Sequence, residues 1–163
     1  MRKYMKNLGI SGLGLGWVAL EIIKCKKRSS IYETKNSLIV KQEEVLRVYE
    51  KWMDVFQKGK LISRYLFDNG FHKVAIYGLG CLGKQLYDEM IVSEIDVVYV
   101  IDDVYGLTNK FYGMTPCVHL ESEQPEADLI IITVPGEKRQ IHAQLRERVN
   151  CPVKSMEDIL FVI

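Results

Sequence analysis

Apolar residues in the C-terminal part of the chain occur in short runs that alternate with stretches of helical periodicity. Near-continuous apolar runs are typical of parallel strands that helices cover on both faces. Strands separated by helical stretches imply βαβ units. Five strands are predicted, at His72–Tyr77, Asp96–Ile101, Pro116–Leu120, Leu129–Val134 and Pro152–Lys154. The pattern over residues 71–163 therefore predicts an α/β domain, a parallel sheet of about five strands flanked by helices.

Residues 37–69 show the spacing of a helical segment that precedes this sheet. Gly59 is placed to end a first helix, and a second helix is predicted from Leu61 to Asp68. Packing against the following domain is the simpler role for the apolar stripe of the first helix. A homodimer or partner-protein contact through the same helices is the alternative. The stripe consists of residues spaced three or four apart: Val45, Leu46, Tyr49, Trp52, Met53 and Phe56.

Residues 1–30 form a tail of different composition. An apolar, glycine-rich run from Leu8 to Ile23 lies between basic flanks, and Glu21 interrupts it. Even as a helix, the run spans only about 24 Å, short of the roughly 30 Å hydrocarbon core of a bilayer. The tail therefore predicts either a weak membrane contact through residues 8–28 or a soluble extension.

Charge and cysteine content narrow the function classes. The chain has 22 Lys and Arg against 21 Asp and Glu. It therefore lacks the excess of positive charge expected of a protein whose whole surface binds nucleic acid. Its four cysteines lie far apart, without a C-x-x-C pair or a histidine at ligand spacing. Neither a metal site nor a disulfide framework is therefore predicted. A cytoplasmic location is expected, at the inner face of the membrane if the tail attaches there.

A glycine motif lies where the first predicted strand meets the next helix. Residues 78–83 read Gly78-Leu79-Gly80-Cys81-Leu82-Gly83, a complete G-x-G-x-x-G. In this setting Gly78 permits a tight turn, Gly80 admits a pyrophosphate, and Gly83 lets the helix pack close to the sheet. The helix N-terminus adds N–H groups for the phosphates. The motif predicts dinucleotide or nucleotide binding, with a tight turn in a fold without ligand as the alternative.

Two carboxylates follow the second predicted strand. Asp102 lies 19 residues after Gly83, where an acidic side chain can bond a ribose diol, and Asp103 is adjacent. No Arg or Lys follows until Lys110, and carboxylates repel a 2′-phosphate. The expected cofactor is therefore NAD, ahead of NADP or a nucleotide-sugar.

The fourth predicted strand ends in Thr133-Val134-Pro135-Gly136, on the same edge of the sheet as the glycine motif. Ligands of open α/β sheets bind outside the carboxyl ends of the strands. Thr133, Val134 and Pro135 are therefore candidate cofactor-binding residues, and strand termination is the alternative for Thr133. No catalytic residue is assigned, because Cys81 has no adjacent base.

Residues 72–163 resemble the NAD-binding domain that precedes the catalytic part of membrane-bound sugar-nucleotide dehydratases and related sugar-transfer proteins of bacterial capsule synthesis. They are also similar to the NAD-binding half of Rex-type redox sensors. The resemblance implies a Rossmann-like fold, NAD binding and a place in bacterial surface-polysaccharide or nucleotide-sugar metabolism. It rests on four segments, Val74–Leu86, Val100–Asp103, Tyr112–Pro116 and Asp128–Pro135.

Features of both families are missing from the chain. None of the nine tyrosines is followed by Lys four residues later, so the Tyr-x-x-x-Lys dyad of short-chain sugar-nucleotide enzymes is absent. The first 70 residues contain no basic recognition helix, so no nucleic-acid partner is expected. The resemblance thus implies a non-catalytic or partner-dependent domain. The alternatives are an NAD(H)-sensing regulatory module and a small oxidoreductase completed by oligomerisation.

Overall fold

The computed structural model describes residues 9–106, 110–122, 124–136 and 138–163; up to residue 33 it describes the side chain of Lys26 only. These ranges form an α/β structure of five helices and a six-stranded, mostly parallel sheet. The chain divides into two compact units, residues 1–42 and residues 43–163. In order along the chain the elements are α1 Gly9–Gln57, α2 Ile62–Asp68, β1 Lys73–Tyr77, α3 Cys81–Ile91, β2 Asp96–Ile101, β3 Phe111–Tyr112, β4 Thr115–Val118, β5 Leu129–Ile132, α4 Lys138–Arg146, β6 Val153–Ser155 and α5 Met156–Val162.

The sheet has the strand order β3-β4-β2-β1-β5-β6. From β1 the chain moves outward through β2 to β4, and then returns to place β5 and β6 on the other side of β1. The pairs formed by β1, β2, β4, β5 and β6 are all parallel, whereas β3 pairs with β4 antiparallel. The α/β class and the parallel arrangement predicted from the sequence are therefore confirmed.

The sixth strand is the part of the sheet that the hydrophobic pattern missed. Strand β3 has two residues, too few to show an alternation, and it reaches β4 through a turn at Gly113. Gly113 has a φ of +59°, a backbone conformation that glycine adopts without strain. The other predicted strands are present, with ends shifted by a few residues.

Both faces of the sheet are buried, which explains the continuous apolar runs. All four residues of β5 are inaccessible or nearly so. One face packs against α3, α5 and the C-terminal part of α1, through residues such as Leu86, Ile159 and Val48. The other packs against α4 through Ile141 and Leu145. A parallel sheet covered in this way presents only its strand ends to solvent.

Helix α1 is longer than the helix predicted from residue 37. The backbone is helical from Gly9 to Gln57, and no Gly or Pro interrupts the helix between Trp17 and Lys58. Gly59 follows the helix with a φ of +71°, as its position predicted. The predicted second helix is α2. Ser155 caps α5 as part of a capping box with Asp158.

In the residues that the structure describes, no helix has an apolar run long enough to cross a bilayer. The predicted membrane contact through residues 8–28, like the tail of residues 1–30, falls mainly on side chains outside the described set.

Asp128, just before β5, ties two strands together. Its carboxylate accepts the backbone N–H groups of His72, at 2.9 Å, and Lys73, at 2.8 Å. The N–H groups of Lys73 and His72 lower the pKa of Asp128 below its usual value. A lowered pKa stabilises the folded state at pH values above the unfolded-state pKa of about 3.9, and that stabilisation is lost as pH falls through the folded-state pKa.

We therefore expect Asp128→Asn to lower the free energy of unfolding by about 1 kcal/mol at pH 7 and by much less near pH 3. Urea unfolding at both pH values measures the difference. The control is Glu126→Gln, which removes an exposed carboxylate two residues away. A loss of stability that is equal at pH 7 and pH 3 would contradict the role of the charge.

Candidate functional site

The candidate site lies where the strand order reverses. Strand β1 is hydrogen-bonded to β2 on one side and to β5 on the other. After β2 the chain adds strands on the β2 side of the sheet, and from β5 onward it adds strands on the opposite side of β1. The carboxyl end of β1 leads into residues 78–83, and that of β5 leads into Thr133–Gly136. In open α/β sheets this reversal creates a crevice in which ligands bind.

Gly78 and Gly83 are required by the geometry of the loop. Gly78 has a φ of +96°, and a Cβ on it would lie 2.5 Å from Cγ2 of Val134. A Cβ on Gly83 would lie less than 3.0 Å from the carbonyl oxygen of Gly78, and 2.8 Å from Oγ1 of Thr133. The first turn of α3 therefore packs directly on the backbone of the loop, which only glycine at position 83 allows.

Gly80 differs from the other two glycines of the motif. It is the N-cap residue of α3, with φ −67° and ψ −169°, and it supplies no side-chain cap. A Cβ on Gly80 would meet no atom within 4 Å. The first N–H groups of an α-helix have no acceptor within the helix. Gly80 and exposed Cys81 thus present an open helix N-terminus, whereas Leu79 and Leu82 are buried beside it.

Thr133 holds the loop against β5. Its buried hydroxyl lies 2.9 Å from the carbonyl oxygen of Tyr77 and 2.8 Å from that of Gly78, and these two backbone acceptors share its single hydrogen. Its N–H also donates to Tyr77. The hydroxyl thus holds the end of the strand to the loop, and the role of Thr133 in cofactor binding stays a prediction. Val134 and Pro135 line a narrow cleft beside Leu82.

Asp102 organises the backbone on the other side of the loop. Its Oδ2 accepts the N–H of Leu79 at 2.7 Å, which links the end of β2 to the glycine motif. Its Oδ1 accepts the N–H groups of Val104, at 3.0 Å, and Tyr105, at 2.7 Å. Since a carboxylate has about four acceptor positions, one remains, on the oxygen that faces the glycine motif.

Asp103 points to a different set of atoms. Its Oδ1 accepts the N–H of Leu120 at 3.1 Å, and Nδ1 of His119 lies 3.5 Å away. The structure therefore brings Asp102 to the glycine motif but directs the Asp103 carboxylate toward the segment after β4. The Asp103 carboxylate is thus an acidic neighbour of the His119 ring.

Helix α1 also reaches the site, which the sequence did not reveal. A Cβ on Gly136 would lie 2.5 Å from Oε2 of Glu44, so this carboxylate covers the turn after β5. Tyr49 contacts Cys81 at the start of α3, and burial together with the Cys81 thiol raises the pKa of Tyr49. Tyr49 belonged to the predicted apolar stripe, but nothing in the spacing of the stripe pairs it with Cys81. Glu44 gave no sequence signal.

Comparison of the chain with protein-family models, with curated proteins and with solved structures found no match. The geometry of the chain itself therefore has to support a functional proposal.

Proposed function

We propose that residues 71–163 form a Rossmann-type domain that binds NAD at the loop of residues 78–83. The observation that supports this most directly is that the three glycines of the motif have different surroundings. Two are enclosed by backbone and side-chain atoms, and Gly80 between them faces open space at the start of a helix. A loop that only turned the chain could carry Ser, Asn or Asp at this open position, since these residues cap a helix at least as well as glycine.

The strand order supports the same proposal. Without the two-residue β3, the sheet runs β4-β2-β1-β5-β6. In order of appearance these strands are third, second, first, fourth and fifth, the sequence of strands in a dinucleotide-binding sheet up to its fifth strand. The glycine motif follows the first strand, and Asp102 follows the second. These are the positions at which a pyrophosphate and a ribose bind in such sheets.

The site residues fit the parts of a dinucleotide. The N–H groups at the start of α3, with the partial positive charge of the helix end, suit a pyrophosphate that approaches Gly80. The remaining acceptor position of Asp102 suits a hydrogen bond from one hydroxyl of the adenosine ribose. The sequence predicted that Asp102 would bond both hydroxyls of the ribose diol. When bound, NAD would supply a nicotinamide that can accept or donate hydride. The chain's own residues orient the pyrophosphate and the ribose.

We expect the protein to bind NAD at least tenfold more tightly than NADP, a difference of about 1.4 kcal/mol. The 2′-phosphate of NADP would face Asp102 and would replace the ribose hydroxyl that can donate a hydrogen bond to this carboxylate. Isothermal titration with both dinucleotides measures the ratio, and Asp102→Asn is expected to narrow it. Equal or tighter binding of NADP by the unsubstituted protein would contradict the placement of Asp102 at the ribose.

The resemblance described above extends the proposal to a biological setting. We propose a non-catalytic or partner-dependent domain of bacterial surface-polysaccharide or nucleotide-sugar metabolism. The absence of a Tyr-x-x-x-Lys dyad from the sequence supports a domain that binds a nucleotide without turning it over by short-chain dehydrogenase chemistry. Loss of surface polysaccharide in a strain that carries a deletion of the chain would test this setting.

One contact favours a sensing role as the second candidate. Tyr49 of α1 touches Cys81, the first residue of α3 and the middle of the glycine motif. A ligand at the N-terminus of α3 would therefore lie beside a helix that also presents apolar side chains to solvent. Tryptophan fluorescence tests the coupling, since Trp52 lies one turn beyond Tyr49 and the two rings stack with centroids 6.2 Å apart.

A further inference from the structure

A polar pocket lies at the amino ends of β5 and β6, at the edge of the sheet opposite to residues 78–83. Residues 124–127 precede β5 and residues 148–151 precede β6, and both segments line the pocket. Its volume is about 380 Å³, within the roughly 300–1,000 Å³ that small-molecule sites have. The glycine motif lies at the carboxyl ends of the strands, so the pocket is separate from the site proposed for NAD.

Tyr99 of β2 reaches this pocket through an irregularity in its strand. Val74 is opposite Val97 in the pairing of β1 with β2, and the next pair joins Ala75 to Tyr99. Val98 is therefore an extra residue in β2, a β-bulge. As a result Tyr99 packs on the α4 face of the sheet, whereas Val97 packs on the other face. Bulges that redirect a side chain in this way are over-represented next to functional sites.

The hydroxyl of Tyr99 has no hydrogen-bond partner in the part of the chain that the structure describes. The whole residue is buried, and yet it is one of those that line the pocket. Burial and the nearby Cys151 thiol raise the pKa of Tyr99 to about 12, so the hydroxyl keeps its proton at neutral pH. A buried hydroxyl without a partner destabilises the folded state. Tyr99 therefore holds an unused hydrogen-bond donor at the wall of the pocket.

Gln124 holds an unused acceptor at the same wall. Its Nε2 lies within 3.3 Å of three backbone carbonyl oxygens, which fixes the orientation of the amide and occupies both of its N–H groups. These carbonyls belong to His119, Leu120 and Ser122. The amide oxygen Oε1 is buried, and no described residue donates a hydrogen bond to it. The pocket thus brings together one unused donor and one unused acceptor.

The floor of the pocket, which consists of Tyr99, Gln124 and Cys151, is uncharged. Burial raises the pKa of the Cys151 thiol, so this group also stays protonated at neutral pH. A charged ligand group would lose its hydration against this floor without meeting an opposite charge. A neutral group that both donates and accepts hydrogen bonds fits better, and a hydroxyl does both. Exposed polar side chains form the rim: Glu126, Arg148 and Asn150.

We propose that this pocket binds a small neutral polyol of monosaccharide size, whose hydroxyls accept a hydrogen bond from Tyr99 and donate one to Gln124. At the rim, Arg148 donates to further hydroxyls and Glu126 accepts from them. Changes of side-chain rotamer are common at binding surfaces, and the exposed rim side chains are free to move as the ligand reaches the floor. The proposal does not rest on NAD binding, because the two sites lie at opposite edges of the sheet.

NMR titration of the full chain, labelled with ¹⁵N, tests the proposal with glucose, galactose and mannose at millimolar concentrations. We expect at least one of these sugars to give saturable shifts of the backbone amide signals of residues 124–127 and 148–151, and none to shift those of residues 78–83. Titration with NAD in the same sample reports on residues 78–83, so failure of either proposal is recognised separately. Absence of a saturable shift at the pocket with all three sugars would overturn the polyol site.

Tyr99→Phe tests the floor of the pocket, because it removes the hydroxyl and keeps the ring. We expect sugar affinity to fall at least tenfold while Tm stays unchanged or rises, since the hydroxyl has no partner to lose. The matched control is Tyr87→Phe. The buried Tyr87 hydroxyl lies 3.2 Å from the carbonyl oxygen of Tyr112 and 3.1 Å from Oγ1 of Thr115.

The control should therefore lower Tm by about 4 °C and leave sugar affinity unchanged. A fall in Tm with Tyr99→Phe as large as that with Tyr87→Phe would show that the Tyr99 hydroxyl is already hydrogen-bonded in the free protein. That result, or full sugar affinity in Tyr99→Phe, would overturn the role of Tyr99 in the pocket.

Discussion

Replacement of Gly83 by alanine is expected to destabilise the domain by about 3 kcal/mol, the upper part of the range for overpacked positions. The added Cβ would lie less than 3.0 Å from the carbonyl oxygen of Gly78 and 2.8 Å from Oγ1 of Thr133. Neither atom can move freely. The Gly78 carbonyl belongs to a loop held at both ends, and Thr133 is fixed by its hydrogen bonds to Tyr77 and Gly78. The first turn of α3 would therefore have to shift away from the sheet.

Urea unfolding measures the effect, and Gly80→Ala is the matched control. The control places the same Cβ three residues earlier, where no atom lies within 4 Å, and should lower the free energy of unfolding by no more than about 1 kcal/mol through the weaker N-cap. For a chain of this length, a loss of about 3 kcal/mol corresponds to a fall in Tm of roughly 6–12 °C. Equal effects of the two substitutions would show that α3 does not pack on the loop as described.

The sequence predicted the sheet because burial on both faces leaves a direct trace. In β2 and β5 nearly every residue is apolar, and these runs were assigned to within two residues of their observed ends. The glycine motif was equally visible in the sequence. The tight turn at Gly78 and the close packing at Gly83 both require a residue without a side chain. Strand β3 was missed because two residues carry no periodicity, and its pairing depends on the turn at Gly113.

The roles of individual site residues were less predictable than their positions. Asp102 was expected at the ribose, but its carboxylate also accepts three backbone N–H groups, an arrangement that depends on the path of the chain after β2. The Asp103 carboxylate turns toward Leu120 and His119. The contact of Tyr49 with Cys81 joins residues 32 positions apart, and helical spacing alone carries no information about such a pair.

The apolar stripe of α1 illustrates the same limit. Periodicity placed six residues on one broad face, and the structure divides that face between two environments. Val45, Tyr49 and Trp52 pack against the core, whereas Leu46, Met53 and Phe56 are exposed. Val48 and Val55, outside the predicted stripe, are the most buried residues of this part of the helix. A stripe of about a third of the helix circumference can serve packing and association at once, so the two roles predicted as alternatives are compatible.

Replacement of Gly80 by aspartate is expected to separate ligand binding from folding. Gly80 has the backbone conformation of an N-cap, and aspartate is a better N-cap than glycine because its carboxylate accepts N–H groups of the first turn. The substitution should therefore leave the free energy of unfolding unchanged or raise it slightly. The same carboxylate would occupy the position at which a phosphate is proposed to bind, and its negative charge would repel the phosphate. We expect NAD affinity to fall at least a hundredfold.

Gly80→Asn is the control that isolates the charge. Asparagine caps helices about as well as aspartate and has nearly the same shape, so it should block the approach to the helix N-terminus sterically without repelling a phosphate. Titration of NAD into both variants should show at least tenfold weaker binding to Gly80→Asp than to Gly80→Asn, since a carboxylate and a phosphate within a few ångströms repel strongly in a partly enclosed site. Equal affinities of the two variants would mean that no phosphate binds at the N-terminus of α3. Unchanged affinity in both would place the ligand away from residues 78–83 altogether.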